Sequence, residues 1–237
     1  MASDRPEPLA GKPHILERAL SSPARTALKL PGAYRAVVCD MDGLLVHTER
    51  QWLQAKSILF DRHGVTLTGA DQAAVFGADD LTTATYFAGR LGVPSDRVSD
   101  IRAEYLAIIA ELIGQGVELT DGAVELIERI SGTVPLALAS NTRRSLVDEV
   151  LRQTPFADRF DAIATGDEVP PKPAPDVYLL ACRRLGAVPS TSVAVEDSPT
   201  GVRAAQAAGL ACIGVPSNPD QPLDDADVVV DSLTELT

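Results

Sequence analysis

The stretch that decides the fold is residues 36–43, Ala-Val-Val-Cys-Asp-Met-Asp-Gly. Four apolar residues without polar alternation are typical of a strand in a parallel sheet that is covered on both faces. Asp40 and Asp42 follow this strand directly. They therefore fall at the carboxyl edge of the predicted sheet, which is where ligands bind in open α/β folds.

Further apolar runs follow along the chain and alternate with helical patterns. The runs lie at residues 134–139, 162–164, 192–195, 210–215 and 228–230, and the helical patterns between them include 144–151, 176–185 and 199–208. This alternation is the signature of an α/β fold, so we predict a Rossmann-like, doubly wound parallel sheet.

One segment, residues 49–119, breaks the alternation. It shows no strand pattern but three or four helical ones, which are separated by glycines and lie at 49–63, 69–76, 81–91 and 95–113. We therefore expect an α/β core (34–48 and 120–237) with a small inserted α-helical domain (49–119). Residues 1–33, rich in proline and charge, are expected to form an N-terminal extension.

The composition limits the classes of partner. The chain has 237 residues, of which 45% are hydrophobic, enough for a buried core. Its formal net charge of −12 argues against binding to nucleic acid or to an anionic membrane. No apolar run reaches the roughly 18 residues of a membrane helix. Without a signal-peptide pattern, and with three scattered cysteines, the chain is expected to be cytoplasmic, as a monomer or weak homodimer.

Four predicted strands or strand-following loops deliver polar side chains that could form one site. These side chains are Asp40, Asp42, Ser140, Asn141, Lys172, Glu196 and Asp197. Four carboxylates that converge on one lysine would repel one another, and a divalent cation would relieve that repulsion. Because the donors are all oxygens, Mg²⁺ is the expected ion, and it commonly completes its shell with a substrate phosphate.

The residue types also suggest a reaction. An aspartate beside a phosphate can attack phosphorus, and a second aspartate two residues on can protonate the leaving oxygen and later deprotonate water. A lysine can neutralise charge on the transferring phosphoryl group. Each motif alone is equally compatible with a solvated turn, a helix cap or a surface loop. Their joint occurrence in this order favours phosphoryl transfer.

Four segments resemble the haloacid dehalogenase superfamily, and above all its branch of β-phosphoglucomutases and sugar-phosphate phosphatases. They are residues 40–45 (Asp-Met-Asp-Gly-Leu-Leu), 140–141 (Ser-Asn), 172–176 (Lys-Pro-Ala-Pro-Asp) and 195–202 (Val-Glu-Asp-Ser-Pro-Thr-Gly-Val). The resemblance extends over roughly residues 34–237. It implies a Rossmann-like core with a helical cap inserted just after the first motif.

The resemblance also implies roles for individual residues. Asp40 would be the nucleophile and a Mg²⁺ ligand, and Asp42 the general acid/base with its main-chain carbonyl on the metal. Asp197 would bind the metal, with Glu196 nearby or acting through water. The phosphate-binding residues would be Gly43, Ser140, Asn141 and Lys172. The Lys172–Pro173 peptide bond is a candidate for the cis form.

Two positions favour a phosphatase over a mutase. Where the mutases carry a histidine this chain has Trp52. Where they carry an arginine that binds a second phosphate it has Asp80, whose carboxylate would repel that phosphate. We therefore expect a Mg²⁺-dependent phosphatase acting on a small phosphorylated metabolite, a sugar phosphate above others. The alternatives are a phosphohexomutase and, from another class, a non-catalytic phosphometabolite-binding protein that keeps the fold.

The residues expected to set substrate selectivity are Thr48, Trp52, Asp79 and Asp80. Thr48 matches the family pattern. Trp52 would either stack on a sugar or fix the inserted helices to the hinge. Asp79 and Asp80 would either bind sugar hydroxyls or cap the helix that begins near Leu81. His47 stands where aspartate is common. Arg143 would either contact substrate or, as we favour, stand at a solvated helix start.

Overall fold

The structure is a computed structural model that describes residues 34–75, 78–218 and 220–237, so the predicted extension 1–33 lies outside the described residues. In these residues the main sheet has six parallel strands: β1 (Ala36–Cys39), β4 (Leu136–Ser140), β5 (Ala162–Thr165), β6 (Ser192–Glu196), β7 (Ala211–Gly214) and β8 (Val228–Val229). Their order in the sheet is β5-β4-β1-β6-β7-β8. The predicted parallel α/β fold is confirmed. Strand ends differ from the predicted ones by one or two residues.

Helices cover both faces of this sheet. They are α5 (Ala123–Ile130), α6 (Arg144–Leu151), α7 (Asp176–Leu185) and α8 (Pro199–Ala207). Successive strand residues point to opposite faces: Val37 packs in one apolar cluster with α5 and α6, and Val38 packs in the other with α7 and α8. Because both faces are covered, β1 is buried along its whole length, which is why it reads as an unbroken apolar run.

The inserted segment contains four α-helices and, contrary to the prediction, one strand. The helices are α1 (Glu49–Arg62), α2 (Gly69–Ala74), α3 (Asp80–Arg90) and α4 (Val98–Gly114). The strand β3 (Glu118–Leu119) pairs antiparallel with β2 (Val46–His47). A two-residue ladder has no periodicity of its own, and it forms here because the two ends of the insert meet. The division of the chain into core and inserted domain stays a prediction.

An aromatic cluster holds the inserted helices together. Phe87 of α3 lies edge-to-face on Phe60 of α1, with ring centroids 5.1 Å apart, and on Tyr105 of α4, at 5.4 Å. Such pairs stabilise beyond the apolar area they bury. The insert thus has a core of its own that fixes α1 and α3 relative to one another. In the described part of the chain, no helix has both the length and the apolar character that crossing a membrane requires.

Candidate active site

The candidate site lies where the strand order reverses, beside β1. Asp40 directly follows β1, Ser140 ends β4 and Glu196 ends β6, and β1 pairs with both of these strands. The chain passes from β1 to β4 and β5 on one side, and then returns through α7 to β6 on the other side of β1. Such a reversal of strand order opens a crevice at the carboxyl ends of the strands. The predicted convergence of these strand ends is therefore present in the structure.

Lys172 occupies the centre of the site and is buried. Its Nζ donates hydrogen bonds to Asp40 Oδ1 at 2.5 Å, to Glu196 Oε1 at 2.7 Å and to the carbonyl of Ala139 at 2.9 Å. Burial alone would lower the pKa of Lys172, but the two carboxylates outweigh burial and raise it. The peptide bond to Pro173 is cis, as the resemblance implies.

The carboxylate of Asp42 is surrounded by hydroxyl donors. Thr48 Oγ1 donates to its Oδ1 at 2.5 Å, and Thr142 Oγ1 and Ser140 Oγ donate to its Oδ2 at 2.8 and 3.1 Å. Trp52 Nε1 lies 3.5 Å from Oδ1. Thr142 is not among the predicted site residues, although it directly follows the predicted residues Ser140 and Asn141 in the chain.

Asn141 is already engaged by the backbone of Lys172. Its Oδ1 accepts from the Lys172 amide nitrogen at 2.7 Å, and its Nδ2 donates to the Lys172 carbonyl at 3.3 Å. The side-chain amide therefore joins the strand end of β4 to the loop that carries the lysine. Binding of phosphate by Ser140 and Asn141 stays a prediction.

The predicted carboxylate cluster contains three side chains in the structure. Asp40, Glu196 and Asp197 each offer an oxygen within 4.8 Å of the others. The carboxylate of Asp42 is not in this group, since it faces the hydroxyls described above. Burial, reinforced by Glu196, raises the pKa of Asp197 to about 7, and burial likewise raises the pKa of Asp40. A single lysine leaves this cluster with surplus negative charge, which suits an all-oxygen site for a divalent cation.

Glu196 is bonded more fully than a free metal ligand would be. Besides Lys172, its Oε1 accepts from the hydroxyl of Tyr178 at 2.7 Å. Its Oε2 accepts from the amide nitrogens of Asp197 and Ser198 at 3.0 and 3.2 Å, and from Ser198 Oγ at 3.1 Å. Glu196 thus anchors the lysine. Tyr178 was missed by the sequence reasoning because it lies on α7, away from any strand end.

Two glycines are required by close approach to these carboxylates. Gly43 has φ of 83°, and a Cβ there would lie 2.1 Å from Asp197 Oδ2. A Cβ on Gly201, in the first turn of α8, would lie 1.8 Å from Glu196 Oε1. Asp197 is also held by Ser217, whose hydroxyl donates to Oδ2 at 2.6 Å. Ser217 was not predicted, because it follows β7, for which the sequence analysis assigned no site residue.

A cavity of about 1090 Å³ separates these strand ends from the inserted helices. The residues of the insert and hinge that line it include His47, Thr48, Trp52, Lys56, Gln72, Asp79, Asp80 and Thr83. Trp52 also packs on Tyr105, with ring centroids 6.1 Å apart. Because Trp52 contacts both Asp42 and the insert core, the structure is compatible with the predicted hinge-fixing role.

The two predicted carboxylates on the cavity wall have different surroundings. Asp79 caps α3, because its Oδ1 accepts from the amide nitrogens of Leu81 and Thr82 at 2.9 and 3.0 Å. Asp80 faces two arginines: Arg102 of α4 at 2.7 Å and Arg143 at 3.6 Å. Within the described part of the chain, Asp80 Oδ2 is buried and has no hydrogen-bond donor.

Arg143 directly precedes α6, but its side chain faces the cavity and does not have the solvated position that was favoured from the sequence. It lines the cavity and reaches across it, from the residue before α6 to the first residue of α3. The expected repulsion between Asp80 and a second phosphate is also weaker than residue type alone suggests, because two guanidinium groups offset the charge of Asp80. Both corrections depend on side chains that are distant in sequence.

Comparison with known proteins gives a consistent result. Residues 34–209 match the family model of haloacid dehalogenase-like hydrolases. The chain is 30% identical to validoxylamine A 7'-phosphate phosphatase of Streptomyces hygroscopicus subsp. limoneus, over 86% of this chain and 96% of that one. It is 35% identical to protein CbbY of Rhodobacter capsulatus, over 77% and 86%. The crystal structure of CbbY from Rhodobacter sphaeroides in complex with phosphate superposes with a TM-score of 0.74 at 30% identity, covering 86% of this chain and 96% of that one.

The contact between Gly201 and Glu196 predicts that replacing two helical glycines with alanine will change the free energy of unfolding in opposite directions. Gly201→Ala should lower the free energy of unfolding by about 1–3 kcal/mol, because the added methyl group displaces the Glu196 carboxylate from its donors. Gly89→Ala on α3, where nothing lies within 4 Å of an added Cβ, should raise it by up to about 1 kcal/mol through helix propensity. Urea unfolding of both variants measures the difference, and equal stabilisation by both would contradict the assigned contact.

Proposed function

The chain belongs to the haloacid dehalogenase-like hydrolase family, and from that premise we propose that it is a Mg²⁺-dependent phosphatase. Its substrate is a small phosphorylated metabolite, with sugar phosphates as the first candidates. The reaction passes through an aspartyl-phosphate on Asp40. The observation that carries the proposal is the pairing of Asp40, bonded to a buried lysine, with Asp42, bonded to three hydroxyls two residues further on.

The carboxylates present fit a magnesium ion. Asp40 and Asp197 would hold it, with the main-chain carbonyl of Asp42 that the resemblance implies. Glu196 is committed to Lys172 and to the amide nitrogens of Asp197 and Ser198. Bound Mg²⁺ supplies positive charge for the phosphate oxygens in a protein whose formal net charge is −12. Burial, together with the neighbouring carboxylates, raises the pKa of Asp40 and Asp197. A bound cation would offset the surplus negative charge of the cluster, which supports this assignment.

Asp40 and Asp42 divide the chemistry between them. A carboxylate oxygen of Asp40 attacks phosphorus, the bond from phosphorus to the ester oxygen breaks, and the carboxyl group of Asp42 gives its proton to the leaving alkoxide. Water then attacks the phosphoryl group while the Asp42 carboxylate takes its proton. The bond from phosphorus to Asp40 breaks, and inorganic phosphate leaves. Lys172 keeps the Asp40 carboxylate oriented throughout.

The inserted helices serve as a cap. They cover the strand ends and supply the far wall of the cavity, so bulk water is kept from the phosphoryl group while the ester is bound. Trp52, Asp79 and Asp80 stay predicted selectivity residues. Of the two carboxylates, Asp79 is occupied by the helix backbone. Asp80 Oδ2 accepts no hydrogen bond among the described residues, so Asp80 would accept a substrate hydroxyl once Arg143, 3.6 Å from that oxygen, moves aside.

Replacing the nucleophile tests the mechanism. Asp40→Asn should lower kcat for p-nitrophenyl phosphate by at least about a thousandfold, because an amide cannot form the phosphoenzyme. Removal of divalent cations with EDTA should abolish turnover of the wild type, and added Mg²⁺ should restore it. Asp96→Asn, an exposed carboxylate of the insert, should leave the rate unchanged. Full activity of Asp40→Asn, or of the EDTA-treated wild type, would refute the mechanism.

The role of Asp42 predicts a specific kinetic signature. A nitrophenolate leaving group needs little acid catalysis, whereas attack by water needs a base, and loss of that base costs about 10²–10⁴-fold in rate. Asp42→Asn should therefore release a rapid burst of about one nitrophenolate per chain before slow turnover. Stopped-flow absorbance measures this burst. A slow linear release without a burst would show that Asp42 acts mainly before or during phosphoryl transfer.

The hydroxyl-acceptor role of Asp80 predicts altered selectivity. Asp80→Ala should change the ratio of kcat/KM between epimers such as glucose, mannose and galactose 6-phosphates by about tenfold, the size of one hydrogen bond to a charged acceptor. The rate with p-nitrophenyl phosphate, which has no such hydroxyls, should change less. Unchanged epimer ratios in the variant would rule out this role.

A further inference from the structure

The cavity wall contains a cation that the proposed reaction does not use. Lys56 lies on α1, is half-buried and lines the cavity. Across residues 34–75, 78–218 and 220–237, no hydrogen bond or ion pair to Lys56 is formed. The other lysine and arginine on the cavity wall are committed: Lys172 to Asp40 and Glu196, and Arg143 to Asp80.

Burial lowers the pKa of Lys56, and no carboxylate among the described residues offsets this effect. A half-buried ammonium group without a counter-charge costs free energy in the ligand-free protein. An anionic group placed against it would recover that cost. A lysine kept only for solubility would extend into water, whereas this one borders the space that the substrate enters.

The position of Lys56 on its helix sets a distance. Thr48, Trp52 and Lys56 follow at intervals of four residues, so they share one face of α1, and all three line the cavity. Thr48 contacts the Asp42 carboxylate directly. Eight residues of helix place Lys56 about 12 Å further along the axis. The three side chains thus run from the reacting end of the cavity, past an aromatic ring, to a free cation.

We propose that Lys56 binds a second acidic group at the far end of the substrate, so that the preferred substrates are phosphate esters whose distal end carries a carboxylate or a second phosphate. This inference rests on the proposed function of the same cavity. The carboxylates on the opposite wall do not oppose it, because Asp79 caps α3 and Asp80 is offset by two arginines.

Matched pairs of ligands test the proposal by competition with p-nitrophenyl phosphate hydrolysis. Glucose 6-phosphate and 6-phosphogluconate differ in a carboxylate, and fructose 6-phosphate and fructose 1,6-bisphosphate differ in a phosphate. In the wild type, at least one doubly acidic member should have an inhibition constant about tenfold below that of its partner, the effect of one charge-assisted hydrogen bond. The pair that shows the difference identifies which acid is bound.

Variants of Lys56 then show whether this residue causes the difference between the two inhibition constants. Lys56→Met keeps the apolar stem and should abolish the advantage of the doubly acidic member, while kcat for p-nitrophenyl phosphate and inhibition by the singly phosphorylated member stay unchanged. Lys56→Arg should retain most of the advantage. Arg50→Met removes the same charge from an exposed position on the same helix and should leave the advantage intact, which separates local binding from the general field of the protein.

The outcomes separate this inference from the proposed function. No preference in either pair in the wild type, or a preference that survives Lys56→Met, would overturn the role of Lys56 even if the protein is an active phosphatase. If p-nitrophenyl phosphate is not hydrolysed, the proposed function fails. Calorimetric titration of the same ligand pairs into the wild type and Lys56→Met then decides the binding role by the same comparison.

Discussion

The site depends on one interaction, the buried contact between the ammonium group of Lys172 and the carboxylates of Asp40 and Glu196. Charges this far from water persist only when they are paired and hydrogen-bonded. Here one lysine faces three carboxylates, counting Asp197, where β1 and β6 end. The negative charge that remains unbalanced is the basis of the proposal that this point binds a divalent cation and, through it, a phosphate. A protein with a formal net charge of −12 would otherwise repel such a ligand.

The surrounding fold holds Glu196 in place so that the lysine contact is preserved. The backbone amides of Asp197 and Ser198, just before α8, point at this carboxylate. Tyr178 adds a hydroxyl, and Gly201 leaves the space that the carboxylate fills. A carboxylate bonded on all sides is a poor metal ligand but a rigid anchor. Acidic residues that look alike in sequence therefore have different surroundings. Glu196 holds the lysine, and Asp42 is bonded to its own group of hydroxyls. Asp40 and Asp197 are the two carboxylates proposed to bind a cation.

The sequence sufficed to predict the sheet and the convergence of the strand ends, because a parallel α/β sheet turns order along the chain into proximity in space. Contacts between side chains of segments that are distant along the chain could not be predicted from the sequence. The two bonds of the Asn141 amide to the backbone of Lys172, for example, have no signal in the local sequence. Tyr178 and Ser217 were missed because nothing in the local pattern shows which side chain a buried carboxylate will recruit. The β3 strand escaped prediction because only its pairing with β2 makes it a strand.

The cavity wall shows why residue type at one position is an insufficient guide to selectivity. An aspartate at position 80 suggests repulsion of a second phosphate, but Arg102 and Arg143 face its carboxylate and cancel most of that field at short range. Lys56, which no motif marks, keeps its charge uncommitted within the described residues. The electrostatic field in the cavity therefore depends on which charged side chains already form ion pairs in the ligand-free protein. The ion pairs of Lys172 at the strand ends belong to the proposed reaction. The ion pairs of Asp80 on the opposite cavity wall are not needed for that reaction, so they can change with the substrate.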